Sequence, residues 1–274
     1  MSDQHSWAAV VALKPSAVAK SRLGVLPTPL RQRLAALMAL DTLAAVASAG
    51  IRLVVVSDAA TMPQSLARAG ITATVLPEPS PGGLNNALRA GEGFLRSHGV
   101  QRVLACVGDL PAVTAESIGT ATRLLDSAGR ARGFVPDHSG TGTTLLMADG
   151  VDLDPLFGGE SAAAHADSGA ALITDPALAS LRADVDAPDD LDPAIRLGVG
   201  THTGSLISNG RLADYAAITV AGPRDADGGY RVISDAGVSS DLAGTVIDPV
   251  VRLLRPGQRL HAATDDGVII SAWP

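Results

Sequence analysis

A chain of 274 residues, 46% hydrophobic but only 3% aromatic, holds enough apolar side chains for one large α/β core with an appendage, built from Ala, Val and Leu rather than rings. A formal charge of −7 without any Lys/Arg run argues against a nucleic-acid partner; no apolar stretch nears the roughly 18 residues of a membrane span, and a start lacking the basic lead of a signal peptide makes a cytoplasmic location the expectation. Cys106 is the only cysteine, which excludes an intrachain disulfide and a zinc site of several thiolates, and reads as a small core residue.

Residues 7–13 are a short apolar run read as a strand, followed by a loop carrying Lys14 and the cationic segment Lys20-Ser21-Arg22. Thr28 as N-cap and Pro29 at the first helical position then open an amphipathic helix in which Leu30, Leu34, Leu37 and Met38 recur until Gly50. Residues 52–56 and 72–76 are β-branched and bounded by polar or Gly/Pro residues, which predicts strands, with a helix over 62–69 between them. A helix over 84–97 is closed by Gly99, and residues 102–107 read as a fully buried strand ending at Gly108-Asp109. Thr114 caps a further helix to residue 127, with Glu116 in its first turn. Such alternation implies parallel strands joined by right-handed crossovers, with ligands bound outside the carboxyl ends of the strands, where Asp109 falls.

Beyond residue 132 the rhythm changes. Residues 133–136, the turn His138-Ser139-Gly140 and residues 143–147 predict a hairpin or an added edge strand, inserted over the site. A helix over 160–169, a strand over 181–185 and a helix over 188–197 complete an α/β unit of residues 1–200. From 201 to 274, short β-like pieces at 217–221, 230–234 and 268–271 are punctuated by Gly, Pro and Asp. They predict a small β-rich C-terminal extension of unknown role, which needs the main core to bury its apolar face.

Three carboxylates invite comparison. Asp184 and Asp186 flank Val185, and in a strand such residues share a face; Asp109 stands at another strand end. Magnesium takes a few carboxylate oxygens and completes its shell with water and substrate phosphate, so this trio suits one or two ions better than it suits helix capping alone. Asp186 by itself, ahead of Ala187-Pro188, reads better as a cap. Lys14, Lys20 and Arg22 lie where the loop of a nucleotide fold meets phosphates, yet neither a Gly-x-Gly-x-x-Gly fingerprint nor a Walker loop accompanies them, and on spacing alone they read equally as a solvated basic loop. Gly82-Gly83-Leu84-Asn85-Asn86 opens a helix whose amides and Asn side chains suit a base or ribose, or form an ordinary capped turn. Gly140-Thr141-Gly142-Thr143 and Phe157-Gly158-Gly159-Glu160-Ser161 are small-residue loops able to face an anion. His138 and His165 beside them read as structural.

Taken in order, Lys14…Lys20-Ser-Arg22, Gly83-Leu-Asn85, Gly108-Asp109-Leu-Pro111, Gly140-Thr-Gly-Thr143, Phe157-Gly158-Gly-Glu-Ser161…His165 and Asp184-Val-Asp186 resemble one family across roughly residues 7–200. It is the 2-phospho-L-lactate/phosphoenolpyruvate guanylyltransferase family of deazaflavin coenzyme F(420) biosynthesis. The resemblance implies a mostly parallel, Rossmann-like nucleotidyltransferase fold, GTP as donor and a phosphorylated three-carbon acid as acceptor. It further implies Mg2+ on Asp109, Asp184 and Asp186, with Thr143, Gly158 and Ser161 on the acceptor and Lys14, Lys20, Arg22, Gly83 and Asn85 on the nucleotide. Lys20, Arg22 and Asp109 are then the catalytic candidates. The family does not evidently carry the extension, for which covering the site, building a homodimer and docking a pathway enzyme all stay open. Rival readings are a nucleotidyltransferase for 3-phosphoglycerate, molybdopterin or a sugar phosphate, and a non-catalytic nucleotide-binding module.

Overall fold

Runs of Val, Ala and Leu bounded by polar residues are the natural interior strands of a sheet covered on both faces. In the computed structural model, which describes residues 6–13 and 23–274, they form β1 (Trp7–Ala12), β2 (Arg52–Val56), β3 (Thr74–Leu76), β4 (Arg102–Cys106), β5 (Arg132–Pro136), β6 (Thr143–Asp149) and β7 (Ala171–Leu172). Their order is β3-β2-β1-β4-β6-β5-β7. Every pairing is parallel except the two made by β6. The expected parallel α/β sheet is present, but the hairpin is neither an edge nor an insertion over the site. The first six residues of β6 are buried, and a strand apolar on both faces belongs inside the sheet, here between β4 and β5.

Alternation along the strands sends side chains to two cores. Ala9, Val11 and Val55 meet Leu43 and Val46 of α1 (Thr28–Ser48), Leu66 of α2 (Met62–Arg68) and Ile118 and Leu125 of α4 (Ala115–Ser127). Ala8, Val10 and Val54 meet Leu88 and Leu95 of α3 (Leu84–Ser97) and Ala162 of α5 (Ser161–Asp167). α3 presses close to β1, since a Cβ on Gly91 would stand 2.4 Å from Val10 Cγ1.

Helix ends follow the local chemistry with one shift. Thr114 Oγ1 accepts from Ser117 N–H at 3.1 Å and Ser117 Oγ returns the bond to Thr114 N–H at 3.2 Å, a reciprocal cap. Thr28, expected as a cap, is instead the first residue of α1, with Pro27 in the capping position and no side-chain hydrogen bond there. The strand expected over 181–185 is absent: Asp175 accepts from Ala177 N–H at 2.8 Å and, with Pro176 behind it, starts a 3-10 helix, Pro176–Leu181. An Asp-Pro pair is a helix opening, and it outweighs the weak β pattern that comes after it. Residues 182–187 join no sheet.

After α6 (Pro188–Leu197) and α7 (Thr201–Gly204), β8 (Ile207–Ser208) and β9 (Arg211–Leu212) form a small hairpin. Then come β10 (Asp214–Val220), β11 (Tyr230–Ser234), β12 (Ser239–Leu242), β13 (Arg259–Asp265) and β14 (Val268–Trp273), in an antiparallel sheet ordered β12-β11-β10-β13-β14. One face of this sheet packs Ile218, Val232, Leu260 and Ala262 beneath Leu254. The other gives Ala263 and Trp273 to a cluster with Leu30, Leu34, Leu37 and Met38 of α1. The apolar stripe read along α1 is therefore buried in part by the extension, together with Val185, Leu191 and Ala194.

Two buried polar residues on α1 fix its neighbours. Asp41 accepts from His202 N–H at 3.0 Å and Thr203 N–H at 2.7 Å, satisfying two orphan donors of α7. Thr42 donates to Met38 O at 3.0 Å and accepts from Leu110 N–H at 3.1 Å, holding the chain just after β4. Replacing Thr42 by Val keeps the shape but strips Leu110 N–H of that acceptor in a fully buried position. The Thr42→Val variant is expected to lose about 1–3 kcal/mol in urea unfolding with an unchanged m-value; a loss below the error of that measurement refutes the assignment.

Candidate functional site

β4 delivers the chain to Val107-Gly108-Asp109 at the carboxyl end of the sheet, and three hydrogen bonds to the main chain anchor residues 109–111. Thr42 takes Leu110 N–H, Pro111 O accepts from Gly200 N–H at 2.8 Å, and Asp109 O accepts from Val185 N–H at 3.1 Å. That last bond replaces the sheet pairing expected for Val185. Val185 is fully buried among Leu34, Leu37 and Leu191, so Asp184 and Asp186 on either side are carried to Asp109 without a strand.

A fourth carboxylate joins them. Asp137, where β5 leaves the sheet, accepts from Thr141 N–H at 3.0 Å and Ser139 Oγ–H at 2.9 Å and so shapes the Gly140–Thr143 turn. Sequence reading passed over it, although its position just past a buried strand and ahead of a Gly-rich turn repeats the pattern of Asp109. Burial, and then the negative charges of Asp109, Asp137 and Asp186, push the Asp184 carboxyl up to about 7. Its Oδ1 is buried and accepts no hydrogen bond, with His138 Nδ1 at 3.6 Å. The cap of α6 is made by Asp190, whose Oδ2 accepts from Asp186 N–H at 2.9 Å and Ala187 N–H at 2.7 Å. Capping therefore does not account for the Asp186 side chain.

Among the described residues no three His, Cys, Asp or Glu side chains converge tightly enough to form a ready metal cage. The donor set nonetheless suits a hard divalent cation: all oxygens, with one carboxyl whose ionisation is opposed by its neighbours. Magnesium is commonly bound through one or two carboxylates, with substrate phosphates supplying the rest, and that kind of site needs no preformed cage.

Beside these carboxylates lies a cleft of about 410 Å³, within the range of small-molecule pockets. Its walls include Leu13 after β1, Gly108 and Asp109 after β4, Ala36 and Ala39 of α1, and Leu84 at the start of α3. Gly83, expected near the nucleotide, precedes Leu84 with φ of +109°, a backbone region that side chains rarely tolerate. Its N–H donates to Glu78 Oε1 at 2.7 Å. Lys14, Lys20 and Arg22 lie outside the described residues; Leu13 and the fully buried Leu23 are the described residues on either side of them.

Asn85, also expected to reach a nucleotide, uses both ends of its amide on one residue. Its Nδ2 donates to Phe157 O at 3.0 Å and its Oδ1 accepts from Phe157 N–H at 2.9 Å. Gly158 comes next in the chain, exposed, and Ser161 begins α5, buried. Thr143, the first residue of β6, is 2.9 Å from His165 Nδ1 through its Oγ1. His165 is wholly buried against Phe134 and Phe157, and burial chiefly, with Arg132 nearby, lowers its pKa to about 4. It is neutral at ordinary pH. The structure thus brings Thr143, Gly158 and Ser161 into one neighbourhood with Asn85 beneath it, and two side chains that bind this neighbourhood together, His165 and Asn85, escaped sequence reading in that role.

Burial of Asp184, and then the carboxylates crowded around it, make stability depend on pH. The folded pKa of Asp184, about 7, lies above the unfolded one, so ionised Asp184 costs stability above pH 7 and the cost fades as pH falls toward about 4. In a cation-free buffer, Asp184→Asn should therefore be more stable than the parent to urea unfolding at pH 8, by on the order of 1–3 kcal/mol, with the gap closing at pH 4. A variant less stable than the parent at pH 8 would contradict the crowding of carboxylates.

No protein-family profile matches the chain. Among curated proteins, it is 44% identical over 205 residues to the phosphoenolpyruvate guanylyltransferase of Mycobacterium sp. strain KMS, covering 73% of this chain and 91% of that one. The phosphoenolpyruvate guanylyltransferase of Salinispora arenicola is 41% identical over 205 residues, 73% of this chain and 92% of the relative. That of Geodermatophilus obscurus is 40% identical over 211 residues, 74% and 94%. Among solved structures, a nucleotide-diphospho-sugar transferase, so described, from Desulfovibrio desulfuricans superposes with a TM-score of 0.55 at 18% identity, over 71% of this chain and 88% of its own. That likeness concerns the fold alone.

Proposed function

The chain belongs to the phosphoenolpyruvate guanylyltransferase family, and from that premise we propose that it joins GMP from GTP to phosphoenolpyruvate or 2-phospholactate, releasing pyrophosphate, in coenzyme F(420) assembly. The observation that carries the reading is the gathering of Asp109, Asp137, Asp184 and Asp186 beside a cleft at the carboxyl ends of the strands, where open α/β sheets bind their ligands.

An oxygen of the acceptor phosphate attacks the α-phosphorus of GTP in line. The new P–O bond forms as the bond to the β-phosphate breaks, and pyrophosphate leaves with the electron pair. A phosphate with its second pKa near 6 is largely dianionic at neutral pH, so no side chain need remove a proton, and the absence of a Ser-His or Cys-His pair from this reading is no obstacle. The difficulty is repulsion between anions. Magnesium held by Asp109, Asp184 and Asp186 would, when bound, neutralise phosphate oxygens. Lys20 and Arg22 would screen the departing charge, and Lys14 with the backbone at Gly83 would receive the nucleotide. Thr143, Gly158 and Ser161 would hold the carboxylate or phosphate of the acceptor. Asn85 is reassigned from the nucleotide to holding Phe157, because both ends of its amide are committed there.

We assign residues 1–200 as the catalytic unit and the remainder as a brace on α1, since Ala263 and Trp273 cover Leu34 and Leu37 while Ala36 and Ala39 of the same helix face the cleft. The test is incubation with GTP and, separately, phosphoenolpyruvate, 2-phospholactate, 3-phosphoglycerate and a sugar phosphate, scored by pyrophosphate release and by product mass. A guanosine diphosphate conjugate of one of the first two acids is expected. GTP binding without pyrophosphate release, or turnover with the sugar phosphate alone, overturns the reading. Asp109→Asn should reduce magnesium-dependent turnover by about 100-fold or more without lowering the melting temperature; near-normal turnover removes Asp109 from the metal site.

A further inference from the structure

His165 is buried and neutral, sits outside the carboxylate cluster, and has both ring nitrogens engaged. Leu156 N–H points at Nε2 from 2.9 Å. A backbone amide can only donate, so Nε2 must carry a lone pair and not a proton. A neutral imidazole has one N–H, which then resides on Nδ1. Nδ1 faces Thr143 Oγ1 at 2.9 Å, and the Ser161 backbone carbonyl one turn earlier also accepts from this ring; a protonated Nδ1 can only donate toward the threonine oxygen, which accepts. The Thr143 hydroxyl proton cannot lie along that same line. It is left for another acceptor, and no other hydrogen bond of this hydroxyl occurs among the described residues.

We propose that His165 is a positioning residue for the acceptor substrate: by fixing its own tautomer against Leu156, it bars the Thr143 hydroxyl proton from the imidazole and leaves that proton to donate toward an anionic oxygen. The inference rests on the reading that places Thr143 at the acceptor. The same ring ties two segments together, since Leu156 precedes the Phe157 held by Asn85 and Gly158 succeeds it. Were Nδ1 unprotonated, the hydroxyl would spend its proton on the ring and show only lone pairs to a carboxylate or phosphate, which repel it. With the proton on Nδ1 that arrangement is excluded before the substrate arrives, which is preorganisation of a donor. The edge-on Phe157 ring, 5.2 Å from the imidazole centroid, and the Phe134 ring, 5.8 Å away, keep water from competing for either nitrogen.

Two measurements test this. In the intact parent protein, nitrogen-15 shifts of the His165 ring should report the Nδ1–H tautomer at pH 7; the Nε2–H tautomer, the commoner one in water, or a rapid mixture overturns the proposal without any variant. Steady-state kinetics with GTP and the accepted phosphorylated acid supply the second. His165→Gln can still accept from Leu156 but lacks the donor at the Nδ1 position, whereas His165→Asn retains that donor. His165→Gln should raise the KM for the acid about tenfold, leave the KM for GTP unchanged, and add nothing in a Thr143→Val background, while His165→Asn recovers most of the loss. Equal losses in both KM values, or full additivity with Thr143→Val, mean that His165 serves only to hold the fold. If Thr143→Val itself leaves the KM for the acid unchanged, the acceptor site lies elsewhere and the underlying reading fails first.

Discussion

The Val185 amide donates to the Asp109 carbonyl at 3.1 Å, and most of what this protein offers a ligand depends on that single backbone bond. It stitches a segment that belongs to no sheet onto the end of β4. Val185 is the buried pin, packed with Leu34, Leu37, Leu191 and Ala194, and the two aspartates beside it have no choice but to stand near Asp109 and Asp137. Mutual repulsion would drive them apart in a looser structure. The apolar pin and the backbone bond oppose that repulsion, and burial first, then the neighbouring charges, raise the pKa of Asp184. Strain of this kind is common where a fold keeps charges ready for a cation to relieve.

α1 is the member that links this cluster to everything else. Its Leu43 and Val46 belong to the main core, its Thr42 holds Leu110 beside the cluster, and its Asp41 caps α7. Its N-terminal half lies under the five-stranded sheet. No part of α1 can move without disturbing both the cleft wall and the extension. The opposite side of the site is organised differently, by polar contacts: Asn85 on α3 and His165 on α5 meet at the Leu156-Phe157 backbone. One wall is set by oil-like packing and the other by committed hydrogen bonds.

The parallel α/β core was legible because its strands are short apolar runs and its helices carry capping residues and glycine stops. Asp109 could be found from Gly-Asp-Leu-Pro after a buried strand, and Asp184 with Asp186 from their spacing. The spacing argument reached the right neighbourhood by a wrong route, since no strand exists at 181–185 and the alternation about Val185 is imposed by its burial. β6 was misplaced because a hydrophobic run reads alike at an edge and in the interior until its partners are known. Asn85 and His165 were out of reach for a related reason. Their partners are backbone groups 72 and nine residues away, and nothing in an Asn or His at those positions announces a contact with a distant main chain. Asp137, by contrast, carried a usable signal in its place after β5.

The sheet that lies on α1 also bears on how freely this architecture can be rearranged. Leu30, Leu34, Leu37 and Met38 are nearly or wholly shielded from solvent, in part by Ala263 and Trp273. A shortened chain would therefore present a sticky ridge next to the cleft, on a helix whose other side forms the cleft wall. The extension is consequently not a detachable cassette. Any lineage that gains or loses such a piece has to rewrite the outward face of α1 in the same stroke, so that the composition of one helix records whether the sheet is present.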